Sequence, residues 1–183
     1  MLELGTKAPD FHLPDVSKNR ILSLADFEDK KVLLVIFMCQ HCPYVKHVKS
    51  ELARLGDDYA AKDIGIVGIS SNDPAVSSED SPEGLKRMVA EWKLHFPVLY
   101  DETQAIAKAY AAACTPDIFV FDRDRRLAYR GQLDDSRPGN GKPVTGADLR
   151  AALDALLAGR APNPDQKPSL GCNIKWRPGN RPK

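Results

Sequence analysis

The sequence lacks a long hydrophobic stretch, an excess of one charge and a rich supply of cysteine, and each absence excludes a class of protein. The longest apolar run, residues 32–39, has eight residues, whereas a membrane-spanning helix needs roughly 20. The chain carries 26 basic and 25 acidic side chains, a balance that argues against a nucleic-acid binder. Four cysteines in 183 residues are too few for a disulfide scaffold. These limits fit one globular domain of ordinary size.

The two ends of the chain carry further information. The first ten residues include Glu3, Lys7 and Asp10 and no apolar stretch of about 7 to 15 residues, which a secretory signal requires. We therefore expect a cytoplasmic protein, with neither nucleic acid nor a membrane as its partner. Residues 160–183 hold six basic side chains, one acidic side chain and five prolines. Their lack of periodicity predicts an extended wrap or a mobile segment. We expect a domain over residues 1–159 and a Pro-rich basic C-terminal extension over residues 160–183.

Apolar patterning predicts an α/β order. Residues 32–37 form a continuous β-branched and aliphatic run, typical of a strand covered on both faces. Apolar side chains at helical spacing follow over residues 44–55, and a second buried strand is predicted over residues 64–69. This βαβ unit implies parallel strands. The pattern then predicts a helix, a short strand, a helix capped by Asp101, an antiparallel hairpin and a last helix, at residues 85–92, 96–100, 106–113, 118–130 and 145–157.

The segment Cys39-Gln40-His41-Cys42 lies where the first buried strand gives way to a helix. Two sulfurs three positions apart on a first helical turn can reach disulfide distance, and the N–H groups of a helix end stabilise a thiolate. We therefore predict that Cys39 attacks a disulfide and that Cys42 resolves the mixed disulfide. His41, when protonated, would lower the pKa of Cys39 further. Pro43 lacks an N–H, and a later helix start would weaken the effect on Cys39.

A metal site is the alternative use of the same segment. A CxxC pair is half of a structural zinc site, which needs two further ligands. The string Cys39, His41, Cys42 and His47 keeps open a Cys/His metal-handling protein, although a helix of about 100° per residue turns His47 about 140° away from Cys42. The strand-to-helix context favours the redox use, for which we expect neither a metal nor an organic cofactor.

Two further places carry chemistry, the Thr115-Pro116 dipeptide and the two outlying cysteines. Pro116 precedes an apolar strand; a cis bond there would present the backbone of Thr115 to an extended partner, whereas a trans turn proline is commoner. Cys114 is either a small buried thiol or a neighbour of the CxxC. One hypothesis for Cys172 is that the extension folds back and makes it a third redox thiol, paired with Cys114 or with the CxxC. Trp176 would anchor the extension by burying its ring.

Six short segments carry motifs of a known group: GTKAPDF (5–11), LADF (24–27), CQHCPYVKH (39–47), ACTPD (113–117), YRGQLDD (129–135) and GCNIKW (171–176). The first two, with the CxxC and Thr115-Pro116, resemble the thioredoxin superfamily, and more narrowly its TlpA/ResA-like and alkyl hydroperoxide reductase/thiol-specific antioxidant (redoxin) group. The last four resemble a subgroup of uncharacterised bacterial thioredoxin-family proteins. The resemblance covers residues 3–158.

The resemblance implies a thioredoxin-like α/β fold, a three-layer α/β/α sandwich with a mixed central sheet. It implies that Cys39 and Cys42 are the redox pair and that Pro116 is a cis-proline beside them, with Thr115 against the substrate. The implied activity is that of an enzyme, a thiol-disulfide oxidoreductase that acts on protein or small-molecule disulfides and thiols.

An antioxidant peroxidase that reduces hydroperoxides is the alternative within the same group. Peroxiredoxins place Pro seven residues, and Thr or Ser three residues, before the peroxidatic cysteine. Those positions hold Val32 and Ile36 before Cys39, and Val35 and Cys39 before Cys42. Because the residues that bind and polarise a peroxide are missing, we expect little peroxide reduction.

Overall fold

The computed structural model describes residues 2–182, and within them the chain forms nine β-strands and four α-helices. In chain order these are β1 (His12–Pro14), β2 (Ile21–Ser23), β3 (Val32–Phe37), α1 (Pro43–Asp58), β4 (Ile64–Ser70), α2 (Pro82–Glu91), β5 (Val98–Tyr100), α3 (Ala105–Ala109), β6 (Cys114–Thr115), β7 (Asp117–Phe121), β8 (Leu127–Arg130), α4 (Ala147–Leu157) and β9 (Cys172–Asn173). Short 3₁₀ turns at Leu24–Phe27 and Ser78–Asp80 precede β3 and α2.

Five strands form the central sheet, in the order β5-β4-β3-β7-β8. β3 pairs in parallel with β4, and β4 with β5, whereas β7 runs antiparallel to β3 and to β8. β3 takes the middle position because all six of its residues are apolar and buried, which suits a strand covered on both faces. The sheet is therefore mixed.

Alternate side chains of β3 enter opposite layers of the molecule. Leu34 and Ile36 join one core with the apolar faces of α1, α2 and α4. Leu33, Val35 and Phe37 join a second core with α3 and the hairpin of β1 and β2. The architecture is a three-layer α/β/α sandwich, so the predicted fold class is confirmed.

The predicted βαβ unit, the helix after residue 84 and the antiparallel hairpin are all present. The helix predicted over residues 106–113 is shorter, and its N-cap is Gln104 in a left-handed conformation with φ of 62° rather than Asp101. Asp101 is buried instead, and its carboxylate accepts hydrogen bonds from the Ser71 hydroxyl at 2.8 Å and the Ala107 N–H at 2.9 Å. The acid fixes the start of α3 from inside the core.

The C-terminal extension lies along the domain as an extended chain. β9 pairs antiparallel with β6, so that Cys172 stands opposite Thr115. Ile174 is buried in the second core, and Trp176 packs against that core while partly exposed. We call residues 171–177 the strap. Across residues 2–182, no helix has both the length and the apolar composition that crossing a membrane requires.

Candidate active site

The CxxC segment joins the end of β3 to the start of α1. The helix begins at Pro43, and Cys42 is its N-cap residue with an extended backbone. Proline suits a first helical position because its φ is fixed and its missing N–H would have no helical partner. The prediction that Cys39 lies on the first helical turn is therefore wrong, because that turn starts after Cys42. The Cys42 sulfur makes no full capping hydrogen bond, but the N–H of Val45 interacts with it.

Both cysteines are completely buried, and Thr115 contacts both of them. The Thr115 hydroxyl lies 3.4 Å from the Cys39 sulfur, and the Thr115 carbonyl oxygen lies 3.2 Å from the Cys42 sulfur. The Thr115-Pro116 peptide bond is cis. The end of β3, the start of α1 and the segment before β7 thus meet at the two sulfurs.

The two thiols differ in acidity. A hydrogen bond from the Cys39 thiol lowers the pKa of Cys42, despite the opposing effect of burial, and Cys172 and Thr115 add to the lowering. The same hydrogen bond, then burial and the charge of Asp80, raises the pKa of Cys39. The Thr115 carbonyl accepts from Cys42 when Cys42 is protonated, which opposes its ionisation without reversing the order. The direction of these shifts favours ionisation of Cys42, the residue at the helix start, whereas the sequence predicts Cys39 as the attacking thiol.

A fully buried carboxylate, Asp80, holds the segment between the two cysteines. One oxygen accepts from the backbone N–H groups of Gln40 at 2.8 Å and His41 at 3.2 Å. The other accepts from the Asn72 side-chain amide at 2.9 Å and pairs with the His41 ring. Sequence reasoning missed Asp80, because an acid in a loop rich in Ser, Asp, Glu and Pro carries no local sign of burial.

The metal alternative can be tested on this geometry. One ligand atom each of Cys39, His41 and Asp80 lie within 4.8 Å of one another. Both oxygens of Asp80 already accept hydrogen bonds from the loop and from Asn72, which an ion would have to displace. His47 is turned towards Ser136, with Nε2 2.7 Å from its hydroxyl. Three atoms are one short of the four protein ligands of a structural zinc site, and in the described residues Asp80 serves the loop as a hydrogen-bond acceptor.

The outlying cysteines occupy different environments. Cys114 is buried, its thiol donates to the Pro116 carbonyl at 3.5 Å, and burial raises its pKa to about 12. Cys172 is partly exposed and its thiol interacts with Cys42; burial first, then this interaction, raises the pKa of Cys172 to about 11. The extension therefore does fold back, and it brings Cys172 to the CxxC rather than to Cys114.

A family comparison agrees with this architecture. The model of the AhpC/TSA family matches residues 4–130, which is more than half of the chain. The chain belongs to the AhpC/TSA family. Among its AhpC/TSA-like relatives, the thiol-disulfide oxidoreductase ResA of Bacillus thuringiensis subsp. konkukian is 27% identical over 128 residues, which cover 69% of this chain and 68% of ResA. Peroxiredoxin 2 of Picrophilus torridus is 24% identical over 186 residues, which cover 97% of this chain and 84% of that protein.

Solved structures show that this AhpC/TSA protein has the thioredoxin fold. An uncharacterised protein from Geobacillus kaustophilus is 54% identical with a TM-score of 0.95, covering 98% of this chain and 95% of that one. A thioredoxin domain of a thiol-disulfide oxidoreductase from Bacteroides vulgatus is 22% identical with a TM-score of 0.61, covering 71% of this chain and 89% of that one. The named relatives are a thiol-disulfide oxidoreductase and a peroxiredoxin, so the family points to redox chemistry at cysteine.

Proposed function

We propose that this protein is a thiol-disulfide oxidoreductase whose redox pair is Cys39 and Cys42, acting on protein or small-molecule disulfides. The observation that carries the proposal is the meeting of both buried sulfurs at Thr115, whose hydroxyl lies 3.4 Å from the Cys39 sulfur and whose carbonyl oxygen lies 3.2 Å from the Cys42 sulfur. A thiolate is the attacking species in disulfide exchange, and a second thiol beside it resolves the mixed disulfide.

In this proposal Cys42 attacks and Cys39 resolves. The Cys42 thiolate bonds to one sulfur of the substrate disulfide, the substrate S–S bond breaks, and the first substrate sulfur leaves and takes up a proton. Cys39 then loses its proton and attacks the Cys42 sulfur, which releases the second substrate thiol. Two electrons pass from the pair to the substrate, one of the two protons comes from Cys39 and the other from solvent, and the pair is left as a disulfide.

The resolving step needs a group that accepts the Cys39 proton. The ring of His41 and the carboxylate of Asp80 are within 4.8 Å of the Cys39 sulfur, a span that one water can bridge in general base catalysis. We infer that His41 accepts the proton and that Asp80 orients the ring. Thr115 is a positioning residue for both sulfurs.

A hydroperoxide reductase is the second candidate. It is favoured by the Peroxiredoxin 2 relative, whose alignment spans 97% of this chain. In that reaction the Cys42 thiolate would attack a peroxide oxygen and become a sulfenic acid, and Cys39 would then displace water to form the same disulfide. Cys39 stands three residues before Cys42, where a peroxiredoxin has a hydroxyl that polarises the peroxide, so we rank this candidate second.

Turnover assays on the full chain separate the candidates. We expect reduction of insulin or glutathione disulfide by the wild type with dithiothreitol, and a loss of at least about 100-fold in Cys42→Ser, as for removal of a nucleophile. Cys39→Ser should stall as a disulfide of Cys42 with the substrate or with Cys172, whereas Cys114→Ala should match the wild type. Full disulfide turnover in both Cys39→Ser and Cys42→Ser would refute the proposal, and faster turnover of hydrogen peroxide than of disulfide would favour the second candidate. Stoichiometric zinc in protein purified under reducing conditions would support the metal alternative.

A further inference from the structure

The proposed redox pair has no exposed surface. Cys39 and Cys42 are completely buried and Cys114 is nearly so, whereas Cys172 is partly exposed. Disulfide exchange requires that an attacking sulfur reach the sulfur that it attacks. Of the four cysteines, Cys172 alone is partly open to solvent. It packs against the core that contains the pair, opposite Thr115, whose carbonyl oxygen lies 3.2 Å from the Cys42 sulfur.

The strap that carries Cys172 is held firmly in place. The backbone of Cys172 pairs with Thr115 in β6 and β9. Gly171 packs so tightly that an added Cβ would lie 2.0 Å from the Thr115 carbonyl oxygen. Further along, the Lys175 N–H donates to the Asn72 side chain and the Lys175 carbonyl accepts from the Asp73 N–H, both at 2.8 Å. Cys172 is thus a fixed neighbour of Cys42, not a loose terminal thiol.

The sulfurs of Cys42 and Cys172 share the same end of α1. The N–H of Val45 lowers the pKa of Cys42, and the N–H of Tyr44 acts in the same direction on the pKa of Cys172. Both N–H groups belong to the first turn of the helix, where no helical carbonyl is available to them. A thiolate at either sulfur would therefore lie at the positive end of the helix.

We propose that Cys172 is a third redox thiol, which links the buried pair to solution by forming a Cys42–Cys172 disulfide. This inference rests on the proposed function. The Cys172 thiolate attacks the Cys42 sulfur of the Cys39–Cys42 disulfide; a Cys42–Cys172 bond forms, the Cys39–Cys42 bond breaks, and Cys39 takes the proton that Cys172 lost. An external dithiol then attacks the exposed Cys172 sulfur, Cys42 leaves as a thiolate, and the second thiol of the reductant frees Cys172 and becomes oxidised.

The order of acidity supports attack at Cys172 in the last step. The thiol of lower pKa is the better leaving group in disulfide exchange, and Cys42 has its pKa lowered while Cys172 has its pKa raised. Attack on the Cys42–Cys172 disulfide at Cys172, which releases Cys42, is therefore favoured both by the lower pKa of Cys42 and by the exposure of Cys172. We call this exchange through Cys172 the relay, and it requires that the strap stay in place.

Peptide mapping tests the relay, since trypsin releases each end of the proposed disulfide separately. Cys39 and Cys42 lie together on residues 32–46, and Cys172 lies on residues 161–175. We expect the full-length Cys39→Ser variant, oxidised with equimolar diamide and mapped without reduction, to give mainly the two peptides joined. Cys114→Ala combined with Cys39→Ser should give the same result. Recovery of Cys172 only as a free thiol in Cys39→Ser would overturn the relay.

A kinetic measurement separates failure of the relay from failure of the proposed function. We expect dithiothreitol to reduce the oxidised Cys172→Ser variant about tenfold more slowly than the oxidised wild type, because the exposed sulfur is gone. Equal rates, with an intact Cys39–Cys42 disulfide in both proteins, would overturn the relay and leave the proposed function standing. Absence of any disulfide within residues 32–46 of the wild type would instead refute the proposed function.

Discussion

The buried carboxylate of Asp80 accepts a hydrogen bond from the backbone N–H of Gln40 at 2.8 Å, which fastens the loop between the two cysteines to the turn before α2. The same carboxylate receives the N–H and the ring of His41. The separation of the two sulfurs therefore depends on a residue about 40 positions away in the chain. The cysteine loop is preorganised by this contact, not by its own sequence.

Removal of this carboxylate should destabilise the fold. Asp80→Ala leaves two loop N–H groups and the Asn72 amide buried without their acceptor, so we expect the free energy of unfolding to fall by about 3 kcal/mol or more. Chemical denaturation of the reduced protein measures it. Asp135→Ala is the matched control, because Asp135 pairs with Lys142 at the surface and exposed pairs contribute little. Equal stability of the two variants would contradict the role of Asp80.

The contacts of Thr115 predict a change in cysteine acidity. Thr115→Val keeps the shape of the side chain and the backbone carbonyl but removes the hydroxyl, which lies 3.4 Å from the Cys39 sulfur and contributes to the lowered pKa of Cys42. We expect the pKa of Cys42 to rise by up to about one unit, since a hydrogen bond contributes about 1 kcal/mol. Thiolate absorbance in the ultraviolet, followed against pH, measures the shift without requiring access to the sulfur. Thr115→Ser retains the hydroxyl, so its Cys42 should have the same pKa as in the wild type. An unchanged pKa of Cys42 in Thr115→Val would contradict the role of the hydroxyl.

The lowered pKa of Cys42 predicts a pH dependence of stability in the reduced protein. Because the pKa of Cys42 is lowered in the folded protein, Cys42 should ionise at pH values where the unfolded chain, with a thiol pKa of about 8.5, still binds the proton. Its contribution is therefore complete above about pH 8.5 and is lost as the pH falls through the lowered pKa. We expect the unfolding free energy of the wild type minus that of Cys42→Ser to rise between about pH 6 and 8, by at most about 1.4 kcal/mol per pH unit. A constant difference would contradict the thiolate assignment.

The close contact of Gly171 predicts that a single methyl group displaces the strap. Gly171→Ala places a Cβ against the Thr115 carbonyl, so we expect a loss of about 1 to 3 kcal/mol in stability, as for other overpacked sites. Alkylation of Cys42 by iodoacetamide should become about tenfold faster, because the strap opens more often. Leu170→Ala, one residue earlier at an exposed position, should alkylate like the wild type. Unchanged alkylation in Gly171→Ala would show that the strap does not cover the pair.

Local patterns predicted the central part of the fold, because the run of six buried apolar residues in β3 and the helical spacing in α1 are properties of short segments. The start of α1 could have been predicted as well. Proline at a first helical position marks a helix start, and Pro43 places Cys42 rather than Cys39 at the N-cap.

No local sequence pattern predicts the burial of Asp80 or the position of the strap. Burial of Asp80 depends on Gln40, His41 and Asn72 meeting it in space, which no spacing in its loop encodes. β9 has two residues, too few for an alternating pattern, and its register with β6 comes from a long-range pairing. The motif GCNIKW indicated that residues 171–176 matter, but only the fold shows that they lie against Thr115.

The central claim is that Cys39 and Cys42 form a reversible disulfide. The most direct measurement equilibrates the full chain in glutathione buffers of graded potential and stops the exchange with acid. The free thiols are then alkylated in denaturant near neutral pH, and the mass of the tryptic peptide of residues 32–46 is measured. We expect two alkyl groups on this peptide at the reducing end, and at the oxidising end an unalkylated peptide two hydrogen atoms lighter, with a reversible two-electron transition between them. A peptide that carries two alkyl groups in every buffer, in protein that still turns over disulfides, would contradict the account.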